Sequence, residues 1–107
     1  LTLSFLRSEA TITAGLNSSG FIVQAGGVNT IFCSNFETFT IYAGFAADMI
    51  TGTAANDVIG SQGASNGVET LVGAGGDDFI QMNLFDASTT QGTLNINGGA
   101  GVDTLYW

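Results

Sequence analysis

The sequence predicts an all-β fold in which short strands stack as a repeating solenoid, and three observations predict it. Thr, Ile, Val and Phe fill the apolar positions of short segments that alternate polar and apolar residues, the period of a half-buried strand. Sixteen glycines punctuate these segments while Pro is absent, which suits a stack where nearly every backbone N–H donates to a neighbouring coil. A nine-residue unit recurs in the C-terminal half, and repetition at a short fixed period is the signature of a solenoid. No stretch free of turn residues is long enough for a helix.

In chain order, Leu1-Thr2-Leu3-Ser4-Phe5-Leu6 and Ala10-Thr11-Ile12-Thr13 alternate and read as strands. Ser18-Ser19-Gly20 turns the chain into Phe21-Ile22-Val23, a further short strand. Gly27-Val28-Asn29-Thr30-Ile31 and Asn35-Phe36-Glu37-Thr38-Phe39-Thr40 echo later segments such as Gly67-Val68-Glu69-Thr70-Leu71, so the repeat extends backward to about residue 24. Residues 1–42 therefore read as divergent N-terminal coils and residues 43–107 as the regular repeats, in one continuous domain.

The repeats carry the chemistry. Gly98-Gly99-Ala100-Gly101-Val102-Asp103 followed by Thr104-Leu105-Tyr106 is a complete unit, with a carboxylate at the sixth place and an aliphatic residue at the eighth. Gly73 to Gln81 and Gly52 to Gly60 keep the first Gly, the sixth Asp and the eighth aliphatic residue. Ala43 to Thr51 and Ala64 to Val72 are weaker copies with Asp48 and Glu69 in the sixth place, and Thr89 to Asn97 has Leu94 there. Glycines permit positive φ and let backbone carbonyls crowd toward one point, where the Asp adds a charged oxygen. A hard cation, calcium, is the natural occupant of such a turn.

This pattern resembles the repeats-in-toxin family, the hemolysin-type calcium-binding repeats of consensus GGxGxDxUx, over roughly residues 43–106. The resemblance implies a right-handed parallel β-roll with calcium between its turns, in an exported bacterial protein. It implies Asp57, Asp78 and Asp103 as carboxylate ligands, with backbone oxygens from Gly52 and Ala54, from Gly73, Gly75 and Gly76, and from Gly98, Gly99, Ala100 and Gly101. The occupied gaps would lie between the 52–57 and 73–78 turns and between the 73–78 and 98–103 turns.

In a β-roll each nonapeptide is half a coil, so successive turns alternate between two edges. Sorted this way, one edge receives Glu37, Asp57, Asp78 and Asp103, and the other Asn29, Asp48, Glu69 and Leu94. The first is the expected calcium edge and the second a largely metal-free one. The eighth-place residues Ile31, Phe39, Ile50, Ile59, Leu71, Ile80, Ile96 and Leu105 are expected to point inward as the core ladder. Ser61-Gln62-Gly63 and Met82 to Ser88 interrupt the period and are expected to be loops, with Leu84 and Phe85 tucked over the core end. Glu9, Asp77 and Asp86 read as generic solvating charges.

Composition excludes several functions. One Arg, no Lys and nine acids give a net charge of −8, so neither nucleic acid nor anionic lipid finds a basic patch. No segment approaches a membrane span and no basic start marks a signal peptide. Leu1, in place of an initiator Met, points to a processed or excised piece. Cys33 is alone and His is absent, which leaves no zinc or thiol-redox constellation, and Cys33 among Ile31, Phe32 and Phe36 reads as a packed thiol. No nucleophile elbow exists, and Asp77 and Asp78, adjacent on a strand, face opposite sides and cannot converge on one bond. The chain reads as a non-enzyme. Aromatics such as Phe5, Phe21, Phe45 and Trp107 read as core or cap, and no exposed carbohydrate platform is evident.

The favoured function is a secreted or cell-surface structural or adhesive module, part of a surface layer, filament or adhesin, rigidified by calcium. The alternative is the calcium-dependent secretion and folding domain of an exported enzyme or toxin; an ice-binding Thr ladder fits less well because Thr38, Thr40, Thr51, Thr53, Thr70 and Thr104 occupy mixed places in the repeat. Trp107 follows the best repeat with no polar cap, so the expectation is a chain that continues, or a second copy stacked head to tail through residues 1–6.

Overall fold

β-branched and aromatic residues alternate with polar ones along most of the chain, and there the backbone is extended; no described residue is helical. The computed structural model describes residues 2–4, 12–17, 20–25, 28–33, 39–44, 46–62, 67–82 and 92–107, with side-chain environments from residue 39 onward. The strands are β1 (Thr2–Ser4), β2 (Ile12–Asn17), β3 (Gly20–Ala25), β4 (Val28–Cys33), β5 (Thr40–Tyr42) and β6 (Met49–Thr51). They continue as β7 (Val58–Ser61), β8 (Val68–Gly75), β9 (Phe79–Met82), β10 (Thr93–Ala100) and β11 (Thr104–Tyr106).

The fold is all-β, with mostly parallel pairing. One sheet has the order β1-β5-β7-β9-β11 and the other β10-β8-β6-β2-β3-β4. From β5 onward consecutive strands fall in alternate sheets, and each pairs in parallel with the strand two further on. The register follows the repeat: Ile59 lies opposite Ile80 and Ile80 opposite Leu105 in one sheet, and Ile50 opposite Leu71 and Leu71 opposite Ile96 in the other. Side chains alternate across each strand, so these eighth-place residues share the inner face. Ile50, Ile59 and Leu71 are fully buried and Ile80 is 1% exposed, each contributing roughly 1.5–3 kcal/mol relative to exposure.

The ladder departs from expectation at three places. Phe39 is buried, but it is Ile41 that pairs with Ile59, so Phe39 occupies the sixth place of its coil and Ile41 the eighth, two residues later than the repeat spacing suggested. Glu37 thereby leaves the sixth place and lies outside the described residues. Ile96 is half-buried and Leu105 is 51% exposed, because β10 and β11 are edge strands with a neighbour on one side only. Ser61 and Met82 belong to the ends of β7 and β9 and are buried; Leu84, Phe85 and Asp86 lie outside the described residues, as do Arg7 and Glu9.

Strands β2, β3 and β4 pair antiparallel, with Asn17 opposite Gly20 and Asn29 opposite Gln24. This differs from the parallel coils expected there. The reason is chain length: Ser18 and Ser19 leave room only for a hairpin, whereas a parallel return needs a crossover of a dozen or more residues. Only β2 joins the parallel stack, with Ala14 opposite Ile50. Asn29 consequently does not align with Asp48.

Truncation of the inward ladder tests this packing. Ile59→Ala should lower the unfolding free energy by about 2–5 kcal/mol, whereas Leu105→Ala should cost about 1 kcal/mol or less. Equal losses in urea denaturation would contradict the placement of the core.

Candidate metal centre at the stacked turns

Three turns that run from the six-stranded sheet to the five-stranded one stack in register, at 52–57, 73–78 and 98–103. Asp57, Asp78 and Asp103 each precede the first residue of β7, β9 and β11, and those first residues pair with one another. The structure thus brings the three expected carboxylates onto one edge in consecutive repeats.

These carboxylates form a ladder through the backbone. Asp57 Oδ1 accepts the Phe39 N–H at 2.8 Å, Asp78 Oδ1 accepts the Asp57 N–H at 2.8 Å, and Asp103 Oδ1 accepts the Asp78 N–H at 3.0 Å. The carbonyls run the other way, with Phe79 N–H donating to Asp57 O and Thr104 N–H to Asp78 O. At the point where the turn leaves the sheet, a carboxylate supplies the acceptor for the N–H of the neighbouring coil. Such charge-assisted bonds contribute about 1.5–3 kcal/mol each.

A second ladder runs in the opposite direction one residue earlier. Asn56 Oδ1 accepts the Asp77 N–H at 2.8 Å, and Asp77 Oδ1 accepts the Val102 N–H at 2.9 Å. Asp77 is therefore a structural acceptor rather than a generic surface charge. The signal was present in the repeat, since Asn56 and Asp77 both hold the fifth place and have side chains of the same shape. Asp77 is exposed and Asp78 buried, as expected of adjacent residues facing opposite sides.

The second oxygen of each sixth-place Asp turns toward its own first-place glycine. A Cβ on Gly73 would collide with both Asp78 Oδ2 and the carbonyl oxygen of Gly98. A Cβ on Gly52 would meet Asp57 Oδ2 and the carbonyl of Gly73 in the same way, and one on Gly98 would meet Asp103 Oδ2. Gly52 and Gly73 thus each leave open a cradle into which a carboxylate oxygen and a carbonyl oxygen of the next repeat converge, whereas Gly98 faces its own carboxylate alone. Gly75 lies in ordinary contact with Ala54, and Gly101 packs against the carbonyl of Gly76, so the expected backbone donors stack closely between turns. A cation here would draw mainly on such carbonyls, because among the described residues no three acidic, His or Cys side chains converge on one point.

The two gaps differ. Asp57 Oδ2 is satisfied by the Thr53 N–H and by the Thr53 hydroxyl at 2.9 Å. Asp78 Oδ2 is buried and has no hydrogen-bond partner, in a residue only 2% exposed. Burial pushes the Asp78 carboxyl above its ordinary value; the Asp57 N–H opposes this, and the charges of Asp57, Asp103 and Asp77 push it further up. Backbone conformation separates the gaps as well. In the 98–103 turn Gly99 and Gly101 have φ of 101° and 137°, and in the 73–78 turn the matching Ala74 and Gly76 have φ of 85° and 92°. In the 52–57 turn Thr53 and Ala55 keep negative φ, and the Thr53 hydroxyl accepts the Ala55 N–H at 3.1 Å. Thr53 closes that turn on itself, a role that its sequence position did not announce.

On the opposite edge Asp48 and Glu69 align and both are buried, with Leu94 next in register. Glu69 Oε2 accepts the Asp48 N–H at 2.9 Å, so Glu69 repeats the ladder with one more methylene, and Leu94 ends it. A comparison of the chain with protein-family models, curated proteins and solved structures returns no match.

Ala74 is the one described non-glycine residue in the left-handed region, a conformation that costs about 1–2 kcal/mol for an L-residue. Ala74→Gly should raise the unfolding free energy by about 0.5–1 kcal/mol, the relief being partly offset by chain entropy. Gly99→Ala should lower it by about 2–3 kcal/mol, because its Cβ would strike the Ala74 carbonyl. Thermal denaturation of the two variants checks the turn geometry, and a destabilised Ala74→Gly would contradict it.

Proposed function

We propose that the chain is a calcium-binding parallel β-roll, an extracellular module with a structural or adhesive role that is rigidified by the cation. The observation that carries this reading is Asp78 Oδ2, a buried carboxylate oxygen without a hydrogen-bond partner that meets the Gly98 carbonyl over the bare α-carbon of Gly73. An unpaired charge in such a place is costly, and a hard cation that takes oxygen ligands removes the cost. The alternation of strands between two parallel sheets, with turns stacked in register, supports the β-roll. The resemblance of the turns to hemolysin-type repeats supports calcium over other cations.

Asp78, Asp103 and the carbonyls of Gly73, Gly75, Gly76, Gly98, Gly99, Ala100 and Gly101 would hold the first ion, in the gap between the two turns of matching conformation. Asp57, with Gly52 and Ala54, would contribute to the gap below, where Thr53 competes for the carboxylate. The ion supplies compensation for stacked negative charge; the chain supplies an ordered cradle that exists only when the coils are stacked. Binding free energy is then folding free energy. A module of this kind is ordered where calcium is plentiful and loosened where it is scarce, which suits an exported protein.

Asp78→Asn separates charge from hydrogen bonding, because the amide oxygen still accepts the Asp57 N–H. Calorimetric titration should show about tenfold or greater loss of calcium affinity for Asp78→Asn and little change for Asp48→Asn. In chelator the Asp78→Asn chain should be at least as stable as the parent, since an uncompensated charge is gone. Equal affinity losses in the two variants, or the same β signal and melting temperature in chelator and in calcium, would overturn the proposal.

A further inference from the structure

The edge opposite the aspartate ladder carries Ala43 and Ala64 where the aspartate units have a first-place glycine, yet it buries Glu69 completely. Oε2 of Glu69 is bound by the Asp48 N–H, while Oε1 is buried without a hydrogen-bond partner. Gln62, one residue beyond Ser61 at the end of β7, holds a second buried oxygen, Oε1, without one. Among the described residues this edge therefore buries two acceptor oxygens that no donor meets. Around Glu69, β6 is preceded by Asp48, β10 brings Leu94 and β7 ends at Ser61; among the described residues of these strands and of β9, Asp48 is the only other titratable group at this edge. No described residue is a Lys, Arg or His that could compensate the charge.

We propose that Glu69 is a proton site: the folded chain holds a proton on Glu69 Oε1 at a pH where an exposed glutamate is ionised. Protonation removes a buried charge and turns a surplus acceptor into a donor, while Oε2 keeps the Asp48 N–H. Burial acts in the same sense, raising the Glu69 carboxyl above the ordinary 4.5 against the opposing effects of Ser61 and the Asp48 N–H. The extra methylene of Glu relative to Asp fits the role, because the aspartates opposite fold back on a glycine and Glu69 has none at the first place of its unit, which is Ala64.

The sign of the linkage follows. A carboxyl raised in the folded state binds its proton more tightly there than in the unfolded chain, so it favours folding as pH falls through the raised value, and the gain is complete below 4.5. The other edge responds oppositely, since acid competes with calcium for its carboxylates. The chain would thus combine a cation-loaded edge and a proton-loaded edge, and acid would strengthen one while stripping the other.

The test compares the full chain with Glu69→Gln, both saturated with calcium, so that the aspartate edge contributes equally to each. The ratio of their folding constants should shift toward the parent as pH is lowered, approaching tenfold per pH unit within the titration window, while both bind the same number of calcium ions. A ratio that does not change with pH overturns the proposal, and so does the loss of a bound calcium ion in Glu69→Gln, which would make this edge a cation site. Infrared spectroscopy of the parent chain labelled with carboxyl-¹³C glutamate keeps the test independent of how the variant folds. A protonated carboxyl band should persist above the ordinary 4.5, at pH values where exposed glutamates are already ionised, and its absence overturns the proposal. None of these outcomes depends on the affinity of the aspartate edge for calcium.

Discussion

At Phe39, Asp48, Asp57 and Asp78, where the chain passes between the two sheets, a backbone N–H leaves the strand ladder and a carboxylate of the next repeat accepts it. The rest of the structure depends on that substitution. Asp57, Asp78 and Asp103 carry the hydrogen-bond register across the turns, so β7, β9 and β11 begin in step and their isoleucine and leucine side chains meet on the inner face. The same carboxylates, buried at Asp57 and Asp78 and half-buried at Asp103, are like charges stacked about one strand spacing apart, near 4.8 Å. A device that fixes the register thus creates an electrostatic demand, and the glycine cradles lie beside the carboxylates that create it.

Charge is distributed accordingly. Among the described residues every acidic side chain lies at a turn or beside one, and the outward positions of β5 to β11 are uncharged. Phe79 and Tyr106 stack on one outer face with ring centroids 6.4 Å apart, so that face does present neighbouring aromatic residues, which the spacing in the sequence alone did not reveal. Among the described residues the faces are therefore neutral and the acidic groups lie at the edges. Neutralising the edges removes most of the repulsion that opposes a compact stack.

Much of this was legible because the repeat spacing and the strand period reinforce each other. The sixth-place aspartates and the eighth-place Ile50, Ile59, Leu71 and Ile80 are separated by two residues, the strand period, so one choice of frame places both sets. Phe39 escaped because an apolar residue stands where the frame wants a carboxylate, and the echo at Glu37 was two residues early. The antiparallel pairing of β2, β3 and β4 was hidden by local similarity to the repeats; what decides it is the short connection at Ser18 and Ser19. Thr53 and Ala74 were invisible for another reason. Whether a turn adopts positive φ or closes on a hydroxyl depends on small differences in backbone energy, and the spacing of Gly and Asp is nearly the same in both cases.

The account stands or falls on the coupling between the carboxylate ladder and the cation. Amide hydrogen exchange of Asp57 and Asp78, measured residue by residue, reads that coupling directly, since these two N–H groups donate to the ladder and to nothing else in the sheets. With calcium present they should exchange as slowly as the amides of the central strands β7 and β9. In chelator they should speed up by about a hundredfold or more, the factor expected when calcium stands at about one hundred times its Kd. Exchange of these two amides that is equally slow with and without calcium would show that the ladder holds without an ion, and would contradict the account.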